Sequence, residues 1–85
     1  MKKQTIMYNN KKMKLPYTLT AGETSTEMVT RQNPFSGQSI ELPEFAAVVY
    51  DTIIGAEQFE DWDTVRAGLD WFKQYFAEQY MAVLD

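Results

Sequence analysis

One cluster of acidic side chains is the first candidate for chemistry in this sequence. Its members are Glu57, Glu60, Asp61 and Asp63. Carboxylates spaced this closely could bind a divalent cation, because hard cations prefer oxygen ligands. A calcium loop starting at Asp61 would need glycine at its sixth position and glutamate at its twelfth, whereas Arg66 and Phe72 stand there. The spacing therefore favours an acidic connection that caps a helix, and no metal or cofactor is expected.

The chain contains neither cysteine nor histidine. This excludes thiolate nucleophiles, histidine-based triads and imidazole metal sites. Acid–base catalysis by carboxylates would need one of them desolvated, with a raised pKa. The two carboxylates set among apolar residues, Asp51 and Asp70, are instead expected on solvated helix faces. We therefore expect a non-enzymatic protein, and the lack of disulfides and of an apolar leader predicts a cytoplasmic location.

Five lysines occur before residue 15, without any arginine. They are Lys2, Lys3, Lys11, Lys12 and Lys14. With Tyr8 and Tyr17 nearby, these lysines could follow a phosphate backbone while a phenol ring stacks on a base. Nucleic-acid binding through this arm is the principal alternative function.

Charge is divided unevenly along the 85 residues. Residues 1–31 carry six basic and two acidic side chains, a net charge of +4, whereas residues 32–85 carry two basic and ten acidic ones, a net charge of −8. The simplest interpretation is a solvated surface whose two halves attract each other within the fold. The second alternative function follows from the acidic half, which could imitate DNA phosphates and inhibit a host DNA-binding protein.

The elements that must position these residues change character near residue 43. Residues 1–10 are predicted to form a frayed basic arm with a tight turn at Asn9 and Asn10, because asparagine tolerates positive φ. Apolar and polar residues alternate over 12–20, which predicts an edge strand interrupted by Pro16. Residues 25–31 are expected to pair back on that strand as a hairpin. A turn over 33–37 and a short strand over 39–42 complete the β-rich part.

Helical spacing begins after Pro43, a residue favoured at the first helical position. The segment up to Phe59 is apolar nearly all round and is expected to be the central helix. Either Asp61 or Asp63 could cap the next helix. This last helix has one apolar stripe: Trp62, Val65, Leu69, Phe72, Phe76, Tyr80 and Val83. It either runs straight to Leu84 or breaks once within residues 75–78.

A second apolar face lies beside that stripe. Trp71 and Tyr75 fall outside it, with Gly68 close by, and a small residue next to large aromatic ones lets another backbone approach. An 85-residue domain has little mass with which to bury two faces of a long helix. The sequence therefore predicts a partner-binding surface at Gly68, Trp71 and Tyr75, used for self-association or for another protein. The competing interpretation is that the strands or the central helix cover these residues.

Residues 31–85 resemble short uncharacterised proteins of tailed bacteriophages. The resemblance is carried by six segments: residues 33–37, 41–43, 49–51, 54–57, 65–72 and 81–85. It implies expression in a bacterial host as an accessory or minor assembly protein, and it implies no activity and no site residue.

A single α+β domain over residues 1–85 is therefore expected, with an N-terminal antiparallel hairpin or meander over 12–42 and two or three packed helices over 43–84. The alternative is an all-α domain with an irregular basic arm. The expected function is a protein-interaction module that contacts no membrane and acts through the aromatic helix face.

Overall fold

Two β-hairpins followed by three helices make up the structure, a computed structural model that describes residues 4–33 and 36–83. The strands are β1 (Thr5–Tyr8), β2 (Lys11–Lys14), β3 (Met28–Gln32) and β4 (Ser39–Pro43). The helices are α1 (Glu44–Gln58), α2 (Trp62–Tyr75) and α3 (Ala77–Val83). The predicted α+β class, with antiparallel hairpins before the helices, is confirmed, and the all-α alternative is wrong.

The first hairpin is built on the predicted asparagine turn. Asn9 and Asn10 have φ values of 51° and 62°, the left-handed conformation that a two-residue hairpin loop requires. The pairing sets Ile6 opposite the buried Met13. Residues 5–8 are therefore a paired strand, and their prediction as part of a frayed arm is wrong, because the turn returns β2 along them.

The second hairpin differs from the predicted pairing. Strand β3 pairs with β4 rather than with residues 12–20, because the chain leaves the first hairpin at Pro16, which has no amide hydrogen to donate. The turn between β3 and β4 is closed by the Gly37 amide, which donates to the Asn33 carbonyl at 2.9 Å. Gly37 has a φ of 76°, so the turn is confirmed at these residues, while Pro34 and Phe35 lie outside the described ones.

Helix α1 is the centre of the core, as its pattern predicts. Phe45, Val49 and Ile53 are fully buried, and Pro43 ends β4 immediately before the helix begins. Aromatic rings from α2 and from the first hairpin pack around Phe45. They belong to Tyr8, Trp71 and Phe76. Helix α1 thus packs against both α2 and the second hairpin, and Tyr8 brings the first hairpin to the same core.

The last helix is interrupted, in agreement with the second of the two predicted forms. Helix α2 ends at Tyr75, and Phe76 leaves the helical conformation with a φ of −138° before α3 begins. Three residues of the predicted apolar stripe, Val65, Phe72 and Phe76, are buried as expected. Among the described residues, no helix has the length and apolar content needed to cross a bilayer.

Candidate functional site

Two of the three predicted docking residues lie inside the subunit. Trp71 is only 5% exposed, and its indole Nε1 donates to the backbone carbonyl of Lys14 at 2.6 Å. Gly68 is also buried, and a Cβ placed there would collide with the Ile53 side chain and lie 2.6 Å from the Tyr17 hydroxyl. The prediction that these residues form a free face is wrong, because the chain's own hairpin and central helix cover them.

Tyr75 occupies a different position, a ridge between two shallow surface grooves. One groove, of about 360 Å³, is lined by Lys14, Asp70 and Trp71 on one side of the ring. The other, of about 370 Å³, is lined by residues that include Tyr8 and Lys11. We call the line where the first hairpin meets α2, marked by these two grooves, the seam. It brings Tyr75 together with two lysines of the predicted nucleic-acid arm.

The lysines of that arm are distributed over both faces of the first hairpin. Lys11, Lys12 and Lys14 are exposed, and Lys12 and Lys14 flank the buried Met13, so strand alternation turns them toward solvent. Lys2 and Lys3 lie outside the described residues. The Tyr17 hydroxyl donates to the Thr64 carbonyl, which ties this residue to α2, and burial raises the pKa of its phenol.

Among residues 4–33 and 36–83, the most exposed aromatic side chains lie instead at the connection between α1 and α2. Phe59 is 84% exposed and Trp62 is 55% exposed. The four clustered carboxylates surround them in sequence, and each of those residues is exposed. We call residues 57–63 the acidic tip. The described residues thus include one site where large apolar area and concentrated negative charge coincide.

Backbone hydrogen bonds fix the shape of the acidic tip. The Asp61 amide donates to the Ala56 carbonyl at 3.0 Å, and the Glu60 amide donates to the Glu57 carbonyl at 3.2 Å. These two bonds form a Schellman motif, with Phe59 as the C-cap of α1. Glu60 takes the left-handed position of that motif, at a φ of 56°, where glycine is the usual residue.

The start of α2 completes the tip. The Asp61 carboxylate accepts hydrogen bonds from the Thr64 amide at 3.4 Å and from the Thr64 hydroxyl at 2.6 Å. Asp61 is therefore the N-cap, which confirms one of the two predicted candidates. Because both helix ends are capped within the same few residues, Phe59 and Trp62 project from an ordered turn.

A groove of mixed character continues from the acidic tip along α2. It has a volume of about 320 Å³, and its lining includes the apolar side chains of Trp62 and Leu69 and the charged side chain of Arg66. The Lys73 ammonium lies 5.5 Å from the centre of the Tyr80 ring, a distance at which a cation and an aromatic face attract. This contact joins α3 to α2, and the two residues that make it line the end of the groove away from the acidic tip.

The segregated charges do not neutralise each other within the fold. Arg31 and Asp51 form the one ion pair found among residues 4–33 and 36–83, at 3.0 Å, and this contact raises the pKa of the Arg31 guanidinium. Neither the tip carboxylates nor the described lysines of the first hairpin take part in an ion pair. The attraction expected between the two halves is thus limited to one pair, and both charged surfaces face solvent.

Phe59 and Trp62 were not predicted as surface residues, because both fit the helical spacing of buried stripes. Each stands at the end of its helix, Phe59 as a C-cap and Trp62 as the first residue of α2. Helical periodicity predicts the direction in which a side chain points only where the chain is helical. At a helix terminus the neighbouring element no longer covers the side chain. The signal that could have revealed them is their position next to four carboxylates.

Within the described part of the chain, no three acidic side chains converge closely enough to hold a metal ion. Comparison with known proteins finds no matching family model, no similar curated protein and no similar solved structure.

Proposed function

We propose that this protein is a non-enzymatic protein-interaction module whose acidic tip docks on a basic surface of a protein partner. The observation that carries the proposal is the exposure of Phe59 and Trp62 among four exposed carboxylate residues that neighbour them in the chain. Exposed aromatic area of this kind is unfavourable in water and becomes favourable when a partner covers it. The expected module is therefore retained, with its surface moved from Trp71 in α2 to the turn that precedes α2.

The two kinds of side chain at the tip have separate roles in docking. Phe59 and Trp62 are suited to be the buried anchors, because a few central aromatic residues usually supply most of the binding energy of an interface. The surrounding carboxylates stay at the rim, where they select a basic partner and accelerate its approach. A partner surface that offers lysine or arginine side chains around an apolar centre would match both roles.

The rigidity of the turn adds to the proposal. A flexible loop would lose conformational entropy on docking, and that loss would weaken binding. Here the Schellman bonds from Glu60 and Asp61 and the cap on Thr64 are present in the free protein. The strained φ of Glu60 is also informative, since such outliers concentrate at functional sites. Residue 60 is a glutamate although glycine would adopt this φ at a lower cost in free energy.

Nucleic-acid binding is favoured by one observation, the presence of Lys11, Lys14 and Tyr75 along the seam. Asp70 lines the same groove as Lys14 and would repel a phosphate there. We therefore rank this function second. Its test is salt-sensitive retention of a single-stranded oligonucleotide, which Lys11→Ala and Tyr75→Ala should each weaken. DNA mimicry and a role as a phage accessory or assembly protein stay predictions.

A synthetic peptide of lysine and leucine tests the principal proposal. Phe59→Ala should raise its Kd about tenfold or more, as removal of a central aromatic anchor does. Because this variant keeps every charge, it separates docking from the general attraction of an acidic chain for a cation. The matched control is Met81→Ala, which removes an exposed apolar side chain on α3, and it should change the Kd by less than about twofold. Equal affinity of the two variants would contradict the proposal.

A further inference from the structure

We infer that the partner surface for the acidic tip is the outward face of the β1–β2 hairpin in a second copy of this chain. The inference rests on the proposed function and names the partner of the same site. Its starting point is the surviving charge segregation, since each subunit presents both a negative tip and a positive hairpin, and neither makes an ion pair within the described residues.

The outward face of the hairpin has an apolar centre between lysines. Met7 is 63% exposed and stands directly opposite Lys12 in the strand register. Lys14 is two residues further along β2, so it lies on the same face as Lys12. We call this surface of Met7, Lys12 and Lys14 the lysine–methionine face. This face therefore has apolar area flanked by positive charge, which is the kind of partner surface proposed for the acidic tip.

The chemistry of the two surfaces matches group by group. A methionine sulfur packs favourably against aromatic rings, so Met7 is suited to contact Phe59 or Trp62. The ammonium groups of Lys12 and Lys14 are suited to approach Glu57 and Glu60. An ammonium group can also lie over an indole, a further favourable contact at this interface. The exposed methionine and the exposed aromatic pair would thus cover each other.

The Met7 and Lys12 part of the lysine–methionine face lies too far from the acidic tip to meet it within one subunit. These two residues adjoin Tyr8 and Lys11, which line a groove with Tyr75 at the C-terminal end of α2, whereas the acidic tip precedes its N-terminal end and Lys14 lies nearer the middle of the helix. Thirteen residues at a helical rise of about 1.5 Å separate Trp62 from Tyr75 by about 20 Å. That distance exceeds the screening length of about 8 Å at physiological salt. The contact is therefore intermolecular.

The resulting association is head to tail. Different patches of the two copies meet, so each dimer leaves one tip and one lysine–methionine face free. Further copies can add to those free surfaces, which gives chains whose length rises with concentration. Because charged pairs guide the contact, association should weaken as salt shortens the screening length from about 30 Å at 0.01 M to about 3 Å at 1 M.

Charge reversal with complementary mixing tests the inference by analytical ultracentrifugation. The tip variant is Glu57→Lys with Glu60→Lys, and it spares the N-cap Asp61 while placing positive charge near the C-terminus of α1, where it is tolerated. The hairpin variant is Lys12→Glu with Lys14→Glu, at exposed positions. Circular dichroism confirms that each variant is folded before its sedimentation is measured.

Wild-type protein at low salt should sediment as associated species. Each variant alone should have a dissociation constant for self-association that is higher by about tenfold or more, because attraction becomes repulsion. An equimolar mixture of the two variants should recover the wild-type association, since the reversed tip again meets a face of opposite charge. A monomeric wild-type protein at low salt, or a mixture that stays monomeric, overturns the inference. Neither result alters the binding of the lysine–leucine peptide, so the proposed function is judged separately.

Discussion

The indole Nε1 of Trp71 donates a 2.6 Å hydrogen bond to the backbone carbonyl of Lys14, which is 57 residues earlier in the chain. This bond ties the edge of the first hairpin to the middle of α2. It satisfies the one polar atom of the indole in an otherwise apolar site, which is how a buried tryptophan is normally accommodated. Trp71 is therefore a structural link between the two halves of the fold rather than a side chain left for a partner.

Replacing that indole should destabilise the protein without affecting docking. Trp71→Phe leaves the Lys14 carbonyl without its donor and creates a small void, so we expect the free energy of unfolding to fall by about 1–3 kcal/mol. The matched control is Trp62→Phe, at the exposed tryptophan, which should change it by less than about 0.5 kcal/mol. Urea denaturation measures both. Equal losses for the two variants would show that Trp71 does not link the first hairpin to α2.

The two helical glycines should respond in opposite ways to alanine. At Gly68 the added Cβ would overlap the Ile53 side chain and the Tyr17 hydroxyl, so Gly68→Ala should cost about 1–3 kcal/mol despite the gain in helix propensity. At Gly55 in α1 nothing lies within 4 Å of the added Cβ. Gly55→Ala should therefore stabilise the protein by about 0.5–1 kcal/mol. Thermal unfolding of the two variants gives the comparison, and stabilisation by Gly68→Ala would contradict the packing.

Glu60→Gly should separate stability from docking. Glycine adopts the left-handed conformation of residue 60 without a Cβ penalty, so the variant should be more stable by about 0.5–1 kcal/mol. It also loses a rim carboxylate, so it should bind the lysine–leucine peptide less tightly. The control Gln58→Gly lies within α1 and should instead destabilise by up to about 1 kcal/mol. Denaturation and peptide titration are measured on the same samples. A less stable Glu60→Gly protein would refute the strain assigned to the turn.

Stability should decline at alkaline pH. Burial raises the pKa of Tyr17 and of Tyr50 above the ordinary tyrosine value of about 10. The neutral phenols are therefore favoured by folding, so their contribution is complete below pH about 10 and is lost as the pH rises through the folded-state values. Tyr17→Phe should make the decline shallower, and the double variant with Tyr50→Phe shallower still. Identical slopes in wild type and variants, measured by urea denaturation, would count against this assignment.

Much of the fold could be predicted because its signals are local. The Asn9–Asn10 turn, the central helix after Pro43 and the cap at Asp61 each depend on a few neighbouring residues, and each is confirmed. The pairing of β3 could not be obtained in this way. Several short strands compete as partners, and the choice depends on where Pro16 turns the chain away from β2.

The candidate site was harder to predict, because exposure depends on tertiary contacts. Nothing near Trp71 in sequence reveals that Lys14 and Phe45 will cover it. Phe59 is the opposite case, a residue that is exposed although its spacing is typical of the core. The neighbouring elements do not extend far enough to cover it. The carboxylates at 57–63 were recognised as a cluster, but their relation to an exposed aromatic pair appears only in the folded turn.

The most direct test of the acidic tip as the docking surface is an amide chemical-shift titration of ¹⁵N-labelled protein with the lysine–leucine peptide. We predict that the largest shifts fall on residues 57–63, with small changes along the seam at Lys14, Trp71 and Tyr75. Shifts concentrated at the seam, or spread evenly over the acidic surface, would contradict the assignment of the tip.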